Sequence, residues 1–430
     1  MLVFESGTTP LEQIARQAAG SLELDTGPAQ AVRQIVTDVK QGGDAALLRY
    51  TRQFDWPEAT APGLRADQAE LDAAWAGLPP SLRRALQAAV RNVRRFHERQ
   101  RPTDWWELGD TGAVLGQKFT PVDAVGIYAP GGLAPYPSSL IMAAVPAQVA
   151  GVPRIVVASP PGQEGRLAAP LAAVAHLLGI TEIYKMGGAQ AIAALAYGTA
   201  AVPPVDKIVG PGNIYVNLAK TMVYGQVGTD GLYGPSELVL IADGTADPVV
   251  AAADLLSQAE HGPDSPVCLI TTSRPLLEQV AAELQRQLVQ LERRSYAEQS
   301  LHECGTMALV RDLEEAAALC NLIAPEHALL MVEEPLALLP RIRHAGCILL
   351  GRSAPVTVGD YLAGPSHILP TGRTARFSSG LGVLDFMKRS SVIYTDQEWL
   401  RRSGPQAARL ACYEGFGAHA RAVVVRNRKR

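Results

Sequence analysis

EIYKMGGAQAIAALAYGT, residues 182–199, reads as a strand, a glycine break and a helix in immediate succession. A short run carrying Ile and Tyr stops at Gly187-Gly188, and a stretch rich in Ala and Leu takes over. The same grammar repeats outward in both directions. Upstream lie AVGIYAP (124–130), SLIMAAVPAQVAG (139–151), RIVVASP (154–160) and RLAAPLAAVAHLLG (166–179); downstream lie DKIVGPG (206–212) and NIYVNLAKTMVYG (213–225). Strands separated by helical segments imply βαβ units and a parallel sheet. ELVLIAD (237–243) opens a second series, continued by PVCLITTS (266–273), TMALVRD (306–312), HALLMVE (327–333) and GCILLG (346–351). The expectation is an α/β protein with two Rossmann-like lobes.

Before the first series, PAQAVRQIVTDVKQGGDAALLRYTRQFD (28–55) and SLRRALQAAVRNVRRFHERQ (81–100) have helical spacing, the former broken at Gly42-Gly43. After the second, SSGLGVLDFMKRSSVIY (378–394) and YEGFGAHARAVVVR (413–426) form a section too small for an independent core, expected to pack on another lobe or another subunit.

Composition narrows the function classes. A chain of 430 residues exceeds one ordinary core. The net charge of -3 argues against a nucleic-acid binder, and the closing RNRKR is too short to change that. No apolar run reaches the roughly 18 uncharged residues of a membrane span, and the N-terminus lacks a signal-peptide layout, so a cytoplasmic location is expected. Five cysteines, with no C-x-x-C pair, indicate neither a disulfide frame nor a thiolate zinc knuckle.

Three strand ends in consecutive βα units are rich in Gly and Pro: Tyr128–Gly132, Met186–Gln190 and Gly210–Asn213. Glycine admits close backbone approach, and a following helix N-terminus offers N–H groups to phosphate. These features suit a nucleotide or serve as plain connections; none matches G-x-G-x-x-G.

Four of the eight histidines lie in polar, Gly/Pro-flanked segments. In SQAEHGPDS (257–265), Gln258 and His261 share a helix face at its end, where they can approach one metal or cap the helix. In NLIAPEHALL (321–330), Glu326 and His327 follow Pro325 at a strand mouth, two bases of different pKa. In GDYLAGPSHILPTG (359–372), Asp360 and His367 sit on a long polar loop, donors suited to Zn²⁺. Glu414 and His419 gain meaning only if the C-terminal section reaches the same cleft. The residues alone support a nucleotide-binding α/β enzyme with a His/Asp metal site.

The strings VGIYAPGGLAPYPSSLIMAAVPAQVAGV, EIYKMGGAQAIAALAYGT, VDKIVGPGNIYVNLAK, GPSELVLIAD, LLSQAEHGPDS, IAPEHA, VGDYLAGPSHILPTGRTARFSSGL and YEGFGAHARA resemble, in order, the histidinol dehydrogenase family. The resemblance covers nearly the whole chain. It implies a zinc enzyme that oxidises L-histidinol through L-histidinaldehyde to L-histidine with two NAD, in histidine biosynthesis. Carried over by position, zinc ligands fall on Gln258, His261, Asp360 and His419, the last from the partner of a domain-swapped homodimer. The catalytic pair falls on Glu326 and His327. Substrate contacts fall on Ser236, His367 and Glu414 beside the metal ligands and His327, and NAD contacts on Tyr128, Gln190 and Asn213. The implied division is an N-terminal helical arm (1–24), a first Rossmann-like, aldehyde-dehydrogenase-like lobe (25–125 and 237–375) bearing metal and catalytic residues, an NAD lobe (126–236), and a dimerisation segment (376–430). DGLYGPSE (230–237) and Phe416 depart from the usual family pattern beside the site. The nearest rival is a related zinc-dependent alcohol dehydrogenase such as sulfopropanediol dehydrogenase; a non-catalytic binding protein and a zinc hydrolase using Glu326 are further alternatives.

Overall fold

Strand Glu182–Lys185 forms one edge of a five-stranded, all-parallel sheet in the computed structural model, which describes residues 1–20, 27–109, 112–131, 136–162 and 164–427. The order across that sheet is Glu182–Lys185, Arg154–Ser159, Ala124–Tyr128, Lys207–Val209 and Gly228–Thr229. Helices Pro137–Ala150, Ala169–Leu178, Gly188–Tyr197 and Ile214–Val223 make the connections. Val125, Ile127, Val156 and Val157 are essentially inaccessible, as strands covered on both faces require. The chain works outward from Ala124–Tyr128 on one side, then returns to the other, leaving a switch point beside Lys207–Val209.

A second all-parallel sheet has six strands, in the order Leu2–Glu5, Thr306–Leu309, Val267–Thr271, Leu238–Ala242, His327–Met331 and Cys347–Leu350. Its switch point lies between Leu238–Ala242 and His327–Met331. Apolar side chains of alternate residues feed two cores, Leu238, Leu240 and Leu329 on one face and Val239, Ile241 and Leu330 on the other.

The chain divides into two compact units, Met1–Gln100 with Asp123–Phe386, and Arg101–Val122 with Met387–Arg430. The first holds both parallel sheets. The second has an antiparallel sheet in which Ala113–Pro121 lies between Trp105–Leu108 and Met387–Thr395, and two mutually packed helices, Gln397–Tyr413 and Gly417–Arg426.

Three features differ from the sequence reading. Residues 1–24 were expected as a helical arm, yet Leu2–Glu5 extends the six-stranded sheet and helix Leu11–Ala18 buries Ile14 against its core; residues 21–24 lie outside the described residues. Helix Ala29–Phe54, bent at Gly43, was assigned with the 237–375 strands, but Val32, Ile35 and Leu47 join the core of the five-stranded sheet. Its apolar stripe covers helices Gly188–Tyr197 and Ile214–Val223. Finally, the segment expected to start at 376 divides near Phe386, whose side chain is fully buried in the first unit.

Candidate functional site

Proline-325 ends the approach to strand His327–Met331, placing Glu326 and His327 at the amino end of the six-stranded sheet's switch point. This differs from the expectation that ligand chemistry gathers at the carboxyl ends of strands. Gly210–Asn213 does follow the carboxyl end of Lys207–Val209 in the other sheet. One cavity of about 350 Å³ spans the amino edge of one sheet and the carboxyl edge of the other. Its wall includes Asn213, Ser236, His261, Glu326, His327, Asp360 and His367.

His327 is 4% exposed. Its Nδ1 lies 3.3 Å from the carbonyl of Glu237 and 3.5 Å from Glu326 Oε2, and its Nε2 lies 3.4 Å from Asp360 Oδ1. Burial works against its positive charge, but the Glu326 and Asp360 carboxylates outweigh it and hold the pKa well above the ordinary histidine value. For Asp360 burial favours the neutral acid, and His327, with His367 and His261 nearby, outweighs that and keeps its pKa low.

His367 has one defined tautomer. Nδ1 donates to the carbonyl of Asp360 at 2.8 Å, so Nε2 accepts from the Ser139 hydroxyl at 3.0 Å. Burial pushes its pKa down, keeping the ring neutral. His261 likewise donates Nδ1–H to the Ser257 carbonyl at 3.1 Å, leaving Nε2 as a lone-pair donor. One turn earlier, Gln258 is 1% exposed and its Oε1 has no hydrogen-bond partner. A buried amide oxygen without a partner carries a penalty that a cation would relieve. The donor set of amide oxygen, imidazole and carboxylate therefore fits a divalent metal. Gln258 is not on the cavity wall, and among the described residues no three His, Cys, Asp or Glu side chains are grouped for a metal.

Glu414 and His419 lie in the second unit, both exposed, on either side of Gly415. The His419 ring packs near Phe416, with centroids 5.3 Å apart.

The glycine-rich strand end at Met186–Gln190 is filled by protein groups. Asp55 accepts from Gly187 N at 2.9 Å and from Gln190 Nε2 at 3.0 Å, and the Tyr128 hydroxyl accepts from Gly188 N at 3.1 Å. Tyr128 and Gln190 are buried and stand off the cavity wall. Asn213 does line it, its Oδ1 capping helix Ile214–Val223 through Tyr215 N and Val216 N. Gly132 lies outside the described residues.

Sequence reading passed over Glu237, Asp55 and Ser139. Each is a polar side chain bonded to a candidate residue or its backbone. Only Glu237 carried a usable signal, an acid directly before the wholly apolar run Leu238–Ala242.

Comparison with known proteins agrees across the chain. The family model described as histidinol dehydrogenase matches residues 22–427. Histidinol dehydrogenase of Geobacillus kaustophilus is 50% identical over 400 residues, covering 93% of this chain and 94% of that protein. The Bacillus subtilis histidinol dehydrogenase is 48% identical over 409 residues, 94% of this chain and 95% of its own. The crystal structure of histidinol dehydrogenase from Elizabethkingia anophelis superposes with a TM-score of 0.94 at 36% identity, covering 99% of this chain and 98% of the other. With the motifs in order and the whole fold matched, this chain belongs to the histidinol dehydrogenase family.

Proposed function

We propose that the chain oxidises L-histidinol through L-histidinaldehyde to L-histidine, reducing two NAD per substrate. The observation that carries the reading is the single cavity on which Ser236, His261, Glu326, His327, Asp360 and His367 meet, in a chain whose relatives bear the histidinol dehydrogenase name. Those relatives lend no support to the sulfopropanediol reading.

Zinc, if bound, would be held by Gln258, His261, Asp360 and His419 of a second copy, fixing and polarising the amino alcohol, while NAD beside Asn213, Tyr128 and Gln190 would accept hydride. The domain-swapped homodimer and its dimerisation segment belong to this proposal. So does a cytoplasmic location; among the described residues no helix is long and apolar enough to cross a membrane.

The chain's own residues divide the work. His327 takes the hydroxyl proton in the first oxidation and a proton of the hydrated aldehyde in the second. If Asp360 held the metal, one of the two carboxylates that favour the charged form of His327 would be engaged elsewhere, which would leave the ring better able to accept a proton. Glu326 draws a proton from the water that adds to the aldehyde. Neutral His367, its Nδ1–H held by the Asp360 carbonyl, can exchange the Ser139 hydroxyl at Nε2 for a donor on the substrate's polar end, with Ser236 beside it and Glu414 contributed from the second copy. The test is NADH formed per histidinol consumed with zinc supplied: two per substrate supports the reading, and one, or none, sinks it.

A further inference from the structure

Glu326 is held by an exchange of bonds with a second buried acid. Glu237 N donates to Glu326 Oε2 at 2.9 Å, and Glu326 N donates to Glu237 Oε2 at 3.3 Å. The two segments meet where strands Leu238–Ala242 and His327–Met331 begin side by side. The other oxygen, Glu237 Oε1, accepts from Gly372 N at 2.7 Å, at the end of the loop bearing Asp360 and His367. Gly20 closes over this oxygen so tightly that a Cβ there would sit 2.2 Å from it. Glu237 is 3% exposed and off the cavity wall, so it meets no substrate there.

We propose that Glu237 is the positioning residue of the second oxidation: its carboxylate anchors the Glu326 backbone through Glu326 N–H, so that Glu326 Oε2 stays seated on the Glu237 backbone N–H and Oε1 is left to take the proton from attacking water. The inference rests on the reading of Glu326 as the water-activating base. A purely structural strut has no need of ionisation at this place. Burial pushes the Glu237 carboxyl up to about 7, helped by the neighbouring Glu326 charge, so keeping an acid here carries a cost near neutrality. What an ionised carboxylate does, and an amide cannot, is accept from two backbone N–H groups on two different oxygens. In Glu237→Gln the amide nitrogen must face either Gly372 N or Glu326 N, donor against donor.

The experiment uses the zinc-loaded enzyme and measures the two stages separately, starting from histidinol or from histidinaldehyde. Glu237→Gln should lower kcat for aldehyde oxidation at least about tenfold more than kcat for alcohol oxidation, with KM for either substrate little changed. Gly20→Ala, whose methyl presses on Oε1 without touching Glu326, should shift the ratio the same way to a smaller extent, and it decides the matter if Glu237→Gln does not fold. Glu326→Gln is measured alongside. If it is selective for the aldehyde stage while the variant deciding the Glu237 question slows both stages equally or neither, Glu237 is a strut and the inference fails alone. If Glu326→Gln itself slows both stages equally, the assignment of Glu326 fails and takes this inference with it.

Discussion

Lys220→Met tests how the candidate cofactor edge is held together. Lys220 and Asp230 have side chains 0% and 2% exposed, with Nζ 2.5 Å from Oδ1. This is an ionic contact, since Oδ1 has no directed hydrogen bond. Lys220 also donates to the Gly210 carbonyl at 3.1 Å, while Asp230 Oδ2 accepts from Gly210 N at 2.7 Å and from the Tyr233 hydroxyl at 2.9 Å. The pair thus clamps both sides of the Gly210 peptide to the loop that leads into Ser236. Removing the cation strands a buried carboxylate, which costs about 3–5 kcal/mol. At about 2.1 cal/mol/K of unfolding entropy per residue, 430 residues give roughly 0.9 kcal/mol/K, so Tm should fall by about 3–6 °C. The assay is calorimetry of the wild type, Lys220→Met, Asp230→Asn and the double variant. The double variant should recover part of the loss, because the uncompensated charge is gone. An unchanged Tm in the single variant, or a double variant whose loss equals the sum of the two singles, would refute the clamp. KM for NAD should rise in the single variant as the Gly210–Asn213 turn loosens.

His261→Asn should abolish bound zinc while leaving the fold intact; unaltered metal content by atomic emission removes His261 from the ligand set. Gly210→Ala should be more damaging than Gly225→Ala. Both glycines have positive φ, but a Cβ on Gly210 would lie 2.3 Å from the Tyr128 carbonyl oxygen, whereas Gly225 has open space. Conformational strain alone, about 1–2 kcal/mol, is expected at Gly225, and denaturation curves showing equal losses would contradict the clash. The pH dependence of stability follows from Glu237. Its folded pKa of about 7 lies above the ordinary carboxyl value, so its contribution is full below about 4.5 and is lost as pH rises through 7. Wild-type Tm measured against Glu237→Gln should therefore decline between about pH 4.5 and 7.5; a flat or rising difference rejects the sign.

Periodicity made the two parallel sheets legible, because strands buried on both faces are short apolar runs, and crossover helices such as Gly188–Tyr197 and Ile214–Val223 start at a glycine or asparagine break. Strand Leu238–Ala242 and helix Ile214–Val223 could be read almost to the residue. The edge strand Leu2–Glu5 could not, since its mostly exposed residues carry no burial pattern. The antiparallel strands Trp105–Leu108 and Met387–Thr395 were missed for the same reason: nearly all their residues are exposed or half-buried. Within the site, residue types were legible and pairings were not. Nothing local to Pro-Glu-His shows that Glu326 exchanges bonds with Glu237, 89 positions away, or that Asp55 would fill the turn at Gly187. Such contacts are set by which strands become neighbours, a property of topology.

The cavity straddles the amino edge of one sheet and the carboxyl edge of another. The acid–base pair and the loop of Asp360 and His367 are built on one scaffold, and the turn ending in Asn213 on the other. A protein built this way can vary what it oxidises on one scaffold while the other keeps its turn, and the Ser139–His367 and Ser366–Met142 bonds join the two sides.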